Sequence, residues 1–301
     1  MKNYLRFLVI NKFNKLAIGT AQFGFHYGIN NIAGKTKVEE VSKIIEFCIH
    51  VGINCIDTAA NYGEAEKILG KHDLTSFDIT TKLSEIPNEC RDVNGWIQNQ
   101  VFNSAEKLNL TKLDCLLLHQ PIQLLGKHGD QIFESLMSLK SQNVIAKFGI
   151  SIYSPQELAE IYKRYNFNVI QAPVNVVDRR FEETGWLDHL QISGTEFQAR
   201  SIFLQGLLLQ NSRTRKKKFH TWNNLWNIWE NWLVENNQNP LSICLNHVLN
   251  KSEISKVLIG FETLNQLITI VDSISSKSFQ LPTGLSSKDE MLLHPYNWNI
   301  I

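Results

Sequence analysis

The chain has 301 residues, of which 43% are hydrophobic, and its formal net charge is +1. This length suits one large α/β barrel, and it buries enough apolar surface to fold without disulfides or a structural metal. The near-neutral charge argues against nucleic acid or an anionic membrane as a partner, so a small-molecule ligand is expected.

The cysteines and the N-terminus indicate where the protein resides. The five cysteines are odd in number and contain no Cys-x-x-Cys pair, which favours a reducing compartment. The apolar run Phe7–Ile10 is too short for a signal-peptide core or a membrane span. No histidines show metal-ligand spacing, so no metal site is predicted. We therefore expect a cytoplasmic protein without membrane association, and the sequence does not indicate its oligomeric state.

Short apolar runs recur eight times, and each is followed by a segment with helical spacing. The predicted strands are Leu16–Thr20, Ile53–Asp57, Phe77–Lys82, Leu113–His119, Ala146–Ser151, Val169–Pro173, Glu196–Ser201 and Val257–Gly260. The predicted helices are Val38–Val51, Ala65–Lys71, Trp96–Leu108, Asp130–Ser141, Pro155–Tyr165, Glu182–Leu190, Leu241–Leu249 and Leu264–Ile274. Eight strand–helix units in one chain predict a closed parallel (β/α)8 TIM barrel in a single domain.

An open, doubly wound sheet is the alternative architecture. That fold usually carries a Gly-x-Gly-x-x-Gly turn after its first strand, and the segment Gly19–Gly24 lacks this spacing. Around the barrel we expect an irregular N-terminal segment, residues 1–15, and a C-terminal tail, residues 276–301. A tryptophan stripe that begins at Trp222 predicts one further helix. The basic run Arg213–Lys218 is expected to be a solvated loop, with cofactor contact as the alternative.

Polar side chains stand where successive predicted strands end. Asp57, Lys82 and His119 close the second, third and fourth strands, and Tyr62 follows Asp57 by five residues. Each one alone has an ordinary structural explanation, such as a turn cap or a solvated lysine. Because the carboxyl ends of barrel strands meet at one rim, the four together predict an active site.

These four residue types suit proton transfer to a carbonyl group. A free phenol has a pKa of about 10, and a neighbouring ammonium lowers it while a carboxylate orients the ammonium. The sequence thus predicts that Lys82, held by Asp57, lowers the pKa of Tyr62, which protonates a carbonyl oxygen as a hydride arrives. His119 would donate a hydrogen bond to that oxygen. None of these side chains carries a hydride, so a cofactor is required.

The segment Gly52–Gly63, with Glu66 and Leu69-Gly70 behind it, resembles the aldo-keto reductase family. The resemblance extends from Gly19 to about Leu267. Further similar segments are Thr80–Lys82, Asp114–His119, Gly149–Ser151 and Arg200–Gly206. It implies that Asp57, Tyr62, Lys82 and His119 are the catalytic residues. The opening Leu16–Gly24, with Tyr27-Gly28-Ile29, is similar to a bacterial subgroup often associated with sugar metabolism.

The same resemblance implies a dinucleotide bound without a Rossmann domain. Ser151 and Gln171 would hold the nicotinamide carboxamide, and Arg200 would stack on the ring. The other cofactor residues implied are Gly19, Thr20, Ala21, Asp57, Ser201, Phe203, Leu204, Gln205, Gly206, Gly260, Phe261 and Gln266. Members of the family commonly use NADPH, so the resemblance implies NADPH as the cofactor. NADH is the alternative, because the segment Gly260–Gln266 lacks the usual basic residue for a 2′-phosphate and contains Glu262, which would repel a phosphate. Ile152 also departs from the family pattern, which commonly has asparagine there.

The expected activity is reduction of an aldehyde, ketone or sugar carbonyl, with nucleotide sugars among the candidate substrates, or the reverse oxidation. The alternatives are a nucleotide-binding regulatory protein and a non-redox lyase or dehydratase that uses the same tyrosine. Three segments, Phe25–Gly34, Ile122–Gly129 and Leu281–Ile301, are expected to surround the pocket. In the first of them, His26 and Tyr27 are candidate substrate contacts.

Overall fold

Eight strands pair in chain order, and each runs parallel to the next. The last strand pairs with the first, so the sheet closes into a barrel. The strands are β1 (Leu16–Gly19), β2 (Cys55–Asp57), β3 (Asp78–Leu83), β4 (Leu113–Leu118), β5 (Ile145–Ser151), β6 (Val169–Pro173), β7 (Glu196–Arg200) and β8 (Lys256–Ile259). A computed structural model describes residues 13–29, 31 and 34–300 of the chain. The closed topology confirms the predicted (β/α)8 barrel and excludes the open sheet.

Helices surround the barrel and connect its strands. They are α1 (Ala21–Gly24), α2 (Val38–Val51), α3 (Ala65–Leu69), α4 (Val93–Leu108), α5 (Gly129–Ser141), α6 (Pro155–Tyr162), α7 (Arg180–Glu183), α8 (Trp186–Ile192), α9 (Asn223–Glu235), α10 (Pro240–Leu249), α11 (Leu264–Asp272) and α12 (Glu290–Leu293). Short 3-10 segments lie at Pro121–Leu125, Leu204–Leu209, Lys217–Trp222 and Pro295–Asn299. Seven of the eight predicted helices are present, within a few residues at their ends.

Local sequence signals fix several helix boundaries. Ser154 caps α6, because its hydroxyl accepts a hydrogen bond from the Glu157 backbone N–H at 3.1 Å, and Pro155 occupies the first turn. At the other end of a helix, Gly52 terminates α2 in the left-handed conformation, with φ of 83°. Asn109 terminates α4 in the same way, with φ of 54°.

Two predicted helices differ in ways that have a clear local description. The helix expected over Glu182–Leu190 is two helices, α7 and α8, because Gly185 adopts φ of +75° between them. The helix expected to reach Tyr165 ends at Tyr162. The helix predicted from the tryptophan stripe is α9, which buries Trp226 and Trp229 against the barrel.

The C-terminal segment, residues 276–300, packs on the barrel rather than leaving it. The Ser287 backbone N–H donates to the Val177 carbonyl at 2.9 Å, just beyond the end of β6. Further along, Leu285, Leu293 and Trp298 are buried. This packing brings the end of the chain to the rim that carries the strand ends. Of the N-terminal segment, residues 1–12 lie outside the described residues.

Candidate active site

A buried ion pair lies at the end of β2 and β3. Lys82 Nζ donates to Asp57 Oδ1 at 2.5 Å, and both side chains are almost fully buried, with exposed fractions of 2% and 4%. Lys82 also donates to the Thr58 carbonyl at 2.9 Å, and Gln171 Nε2 donates to the other Asp57 oxygen at 2.7 Å. These contacts compensate both charges, and they exclude the solvated lysine that was one explanation of Lys82.

Strand register explains why the two charges meet. Asp57 is the register partner of Thr80 on the neighbouring strand. Lys82 lies two residues beyond Thr80, so its side chain points to the same face of the sheet. A shift of one residue in β3 would turn Lys82 outward and separate the pair.

Tyr62 and His119 lie beside this pair. Lys82 Nζ is 5.2 Å from the centroid of the Tyr62 ring. The Tyr62 and His119 rings meet edge to face, with centroids 6.0 Å apart. The structure therefore brings together all four residues that the sequence places at the ends of strands.

The expected lowering of the Tyr62 pKa is wrong. Burial raises the pKa of Tyr62, and the nearby Asp57 carboxylate raises it further, against a smaller lowering by Arg200. The positive charge of Lys82 is balanced by Asp57 at 2.5 Å and so cannot outweigh burial. Tyr62 is consequently a protonated phenol throughout the neutral pH range.

His119 is neutral in the same range. Burial lowers its pKa to about 3, and the positive charges of Lys82 and Arg200 add to the lowering. Its Nδ1 atom is buried without a hydrogen-bond partner among the described residues. A neutral imidazole retains one N–H, which can be donated to an oxygen beside Tyr62.

Two glycines set the position of the Tyr62 backbone. A Cβ at Gly24 would lie 1.6 Å from the Tyr62 carbonyl oxygen, so no other residue fits there without displacing the chain. Gly63 adopts φ of +56°, and a Cβ there would lie 3.0 Å from the Gly24 carbonyl. The segment after β1 therefore packs directly on the turn that carries Tyr62.

Ser151 and Gln171 suit a carboxamide. They are register partners on β5 and β6, and Ser151 Oγ lies 3.4 Å from Gln171 Oε1. A carboxamide needs a donor for its oxygen and an acceptor for its NH2 group, and a hydroxyl beside an amide oxygen supplies both. The NH2 group of Gln171 is already engaged by Asp57 and by Gln198 Oε1, at 2.7 and 3.1 Å. These residues fit the nicotinamide end of a dinucleotide.

Arg200, at the end of β7, stacks its guanidinium group on the Tyr153 ring. Its guanidinium carbon lies 4.1 Å from the centroid of the Tyr153 ring, and its Nη2 donates to the Ile152 carbonyl at 2.8 Å. The Nε atom is buried without a partner in the described part of the chain. Ile152, which replaces the family's common asparagine, is fully buried and offers only its backbone.

The loop after β7 has an unusual backbone. Ser201, Leu204 and Gln205 adopt positive φ angles of 57°, 47° and 50°, and Gly206 follows at 87°. Non-glycine residues in this conformation cost energy and concentrate at ligand-binding segments. Turns of this kind direct several backbone N–H groups to one side, which is a common way of binding phosphate. The loop thus fits the pyrophosphate of a dinucleotide.

The remaining cofactor candidates contribute in different ways. Thr20 is buried, and its hydroxyl donates to the Asp57 carbonyl at 3.0 Å, which ties the end of β1, at Gly19 and Ala21, to the ion pair. Leu204 and Phe261 are buried side chains, and Phe203 is nearly so, so these residues offer mainly backbone atoms to a ligand. Gly260 and Phe261 lie in the loop after β8, and Gln266, in the first turn of α11, accepts a hydrogen bond from the Glu262 backbone N–H of that loop at 2.7 Å.

The aldo/keto reductase family model matches residues 15–283. The chain belongs to the aldo/keto reductase family. It is therefore an NAD(P)H-dependent oxidoreductase, as the resemblance predicted.

Relatives of this aldo-keto reductase are distant. An uncharacterized oxidoreductase of Bacillus subtilis, YqkF, is 28% identical over 65% of this chain and 67% of its own length. D-arabinose 1-dehydrogenase of Saccharomyces cerevisiae is 30% identical over 36% of each chain. Among solved structures, the holo form of the aldo-keto reductase AKR11C1 from Bacillus halodurans superposes with a TM-score of 0.69, at 22% identity and 88% coverage of both chains. That structural likeness supports the fold.

Several residues near the site of this aldo-keto reductase were not identified from the sequence. Tyr153 stacks on Arg200, and the His294 and Tyr296 rings lie 5.1 and 5.5 Å from the Tyr153 ring. Tyr153 follows the end of β5 by two residues, so the strand-end rule could have found it. Gln198 could also have been identified from the sequence, because it is a polar residue inside strand β7. His294 and Tyr296 could not, because they reach the site only through packing of the distant C-terminal segment.

In the segment Phe25–Gly34, which was expected to line the pocket, Tyr27 and His26 lie in different surroundings. Tyr27 is 40% exposed but lies close enough to Tyr62, Tyr153 and Arg200 to interact with them, and its hydroxyl accepts a hydrogen bond from Gln205 Nε2 at 3.1 Å. His26 instead bonds the Asn31 carbonyl at 2.9 Å and is exposed to solvent. Residues 30, 32 and 33 of this segment are outside the described residues.

The described residues contain neither a metal-binding cluster nor a membrane-spanning helix. No group of three histidine, cysteine, aspartate or glutamate side chains there could hold a metal ion. No helix among them is long and apolar enough to cross a membrane.

Changing Gly24 to alanine should impair catalysis beyond its effect on stability. The added methyl group displaces the Tyr62 turn, and a shift of about 1 Å at a catalytic group costs on the order of a hundredfold in rate. Gly70→Ala is the matched control, because its Cβ would lie 2.1 Å from the Lys107 carbonyl, away from the site. Activity per folded molecule and thermal unfolding are measured for both. Equal losses of activity per folded molecule in the two variants would contradict the positioning role of Gly24.

Proposed function

We propose that this aldo-keto reductase interconverts a small carbonyl compound and its alcohol, with Tyr62 as the proton donor in reduction. The observation that supports this most directly is the clustering of Tyr62 with the buried Lys82–Asp57 pair and with His119. The NAD(P)H supplies the hydride to the carbonyl carbon.

Each side chain has a separate task in this proposal. The Tyr62 hydroxyl donates its proton to the carbonyl oxygen as negative charge develops there, and solvent later restores that proton. Its raised pKa keeps it protonated at the start of each cycle. The neutral His119 donates a hydrogen bond to the same oxygen and orients it. Lys82, whose charge is largely balanced by Asp57, lies beside the Tyr62 ring and offsets only part of the charge of the phenolate that is present transiently.

A sugar is our proposed substrate class. The yeast relative is named for oxidation of D-arabinose. In this chain an aromatic rim, formed by Phe25, Tyr27 and Tyr153, lies around Tyr62, with Phe25 and Tyr62 ring centroids 6.1 Å apart. Aromatic rings with polar tips pack against the apolar faces of a small polar ligand and bond its hydroxyl groups.

Removing the phenolic hydroxyl tests this assignment. Tyr62→Phe should lower kcat for carbonyl reduction by about 10²- to 10⁴-fold, because general acid catalysis is lost, and should leave dinucleotide affinity unchanged. The assay follows nicotinamide absorbance with a panel of aldehydes and sugars, and protein fluorescence reports dinucleotide binding. Tyr162→Phe, which removes a hydroxyl from a partly buried tyrosine on α6, is the control. Full activity in Tyr62→Phe, or turnover without a change in nicotinamide absorbance, would contradict the proposal.

We also propose that the adenosine end prefers NADH to NADPH. The first backbone N–H of α11, at Leu264, donates to Glu40 Oε1 at 2.9 Å. That N–H would otherwise be available to a phosphate. Glu262 adds a second carboxylate, and the Thr36 hydroxyl bonds its carbonyl at 3.1 Å. Lys43 lies 3.6 Å from Glu40 and offsets part of this charge.

The basic run after β7 contributes less positive charge here than its composition suggests. Arg215 is buried, pairs with Glu230 at 2.8 Å and stacks on Trp226. Lys218 donates to the Trp298 carbonyl. Both side chains therefore hold the structure together, which favours the free ribose hydroxyl of NADH over a 2′-phosphate.

Fluorescence titration tests this preference as binding. The unmodified protein should bind NADH more tightly than NADPH, and Glu262→Arg should shift the ratio of the two dissociation constants at least tenfold towards NADPH. Glu134→Arg reverses a charge on the exposed face of α5 and should leave the ratio unchanged. Tighter binding of NADPH by the unmodified protein would refute the preference without affecting the proposed reaction.

A further inference from the structure

A cleft with mixed polar and apolar lining lies on the side of the barrel, apart from the strand ends. It is bounded by α7, α10 and the C-terminal segment, and its volume is about 310 Å³. We call it the lateral cleft, and its charged or titratable lining residues are Arg179, Glu182, His247, Lys251 and Lys277. Neither the family resemblance nor the proposed reaction uses any of them.

The single carboxylate of this lining is paired through one of its two oxygens. Glu182 Oε2 accepts a hydrogen bond from Lys251, which balances its charge. His247 Nε2 lies 3.5 Å from Oε1, and neither of these two atoms has a hydrogen-bond partner among the described residues. Burial alone would raise the pKa of Glu182, but the contacts with His247 and Lys251 outweigh it and lower the pKa to about 2. Burial lowers the pKa of His247, so this imidazole is neutral near pH 7. Glu182 therefore has no charge left to balance a second cation.

Arg179 is a cation of the cleft lining whose charge Glu182 does not balance. Its Nε donates to the Val176 carbonyl at 3.0 Å, but its Nη2 is buried and has no hydrogen-bond partner among the described residues. A buried guanidinium nitrogen without a partner is costly, and charged groups cost more than neutral ones. Lys277, an exposed lining residue on the C-terminal segment, makes no ion pair within the described part of the chain. Three cations thus face one carboxylate, which leaves two positive charges in excess.

We propose that the lateral cleft binds a small phosphate dianion, either free phosphate or the phosphate group of a small metabolite. Two excess positive charges match a dianion, and the planar guanidinium of Arg179 can bond two of its oxygens at once. Lys277 adds a mobile point charge at the open side. Ligand pockets span roughly 300–1,000 Å³, so a cleft at the lower limit suits a small phosphorylated compound and not a dinucleotide.

The cleft is linked to the candidate active site through the C-terminal segment. Residues 277–281 form one wall of the cleft, and the same segment continues to His294 and Tyr296 beside Tyr153. A phosphate that joins Arg179 to Lys277 would fasten this segment to α7. Binding should therefore stabilise the folded protein, as any ligand specific to the native state does.

Calorimetric titration of the full chain with inorganic phosphate and with phenyl phosphate tests the site, with sodium chloride at equal ionic strength as the reference. Phosphate should bind and raise Tm, and chloride should do neither. Arg179→Gln should weaken phosphate binding at least tenfold, and Lys277→Gln, an exposed change that leaves the fold intact, should weaken it about threefold to tenfold. Arg91→Gln, in an exposed loop, is the matched control and should bind normally.

The loop after β7, which fits a pyrophosphate, is an alternative binding site for phosphate. The titration is therefore repeated with excess NADH, which would occupy that loop. Unchanged phosphate affinity supports the lateral cleft, and competition overturns it. Phosphate that binds no better than chloride, or that binds Arg179→Gln and Lys277→Gln as tightly as the unmodified protein, also overturns it. If phenyl phosphate binds at least tenfold more tightly than inorganic phosphate, the source is a phosphorylated metabolite. Equal affinities identify free phosphate.

Discussion

The buried ion pair between Lys82 and Asp57 is the interaction on which the candidate site depends. Removing two charges from water costs several kcal/mol for each ion, so such a pair persists only when it is fully hydrogen-bonded. Here the carboxylate has contacts from Lys82 and Gln171, and the ammonium has contacts from Asp57 and the Thr58 carbonyl. This network joins β2, β3 and β6 across the end of the barrel, and Tyr62 and His119 lie against it.

The network also explains the protonation states of its neighbours. A free ammonium beside Tyr62 would favour the phenolate, but an ammonium neutralised by Asp57 leaves burial as the main influence, and the pKa of Tyr62 rises. For His119, burial and two nearby cations act in the same direction, and its pKa falls. The site thus combines a protonated phenol with a neutral imidazole, which is the state needed to donate two hydrogen bonds to one carbonyl oxygen.

The barrel could be predicted because its signals are local. Continuous apolar runs such as Cys115–Leu118 identify the strands, and charged residues at their ends identify Asp57 and Lys82. The direction of the Tyr62 pKa could not be predicted, because it depends on how closely Asp57 and Lys82 approach each other. The position of His294 beside Tyr153 could not be predicted either, since the two residues meet only through the packing of the distant C-terminal segment.

A double-mutant cycle on the ion pair is the most direct test of this account. Unfolding free energies are measured for Asp57→Asn, Lys82→Met and the double variant. Each single change leaves an unpaired buried charge, so it should cost about 3–5 kcal/mol, and the double variant should cost clearly less than the sum. Additive losses, or single losses below about 1 kcal/mol, would show that the two charges are not coupled and would contradict the account.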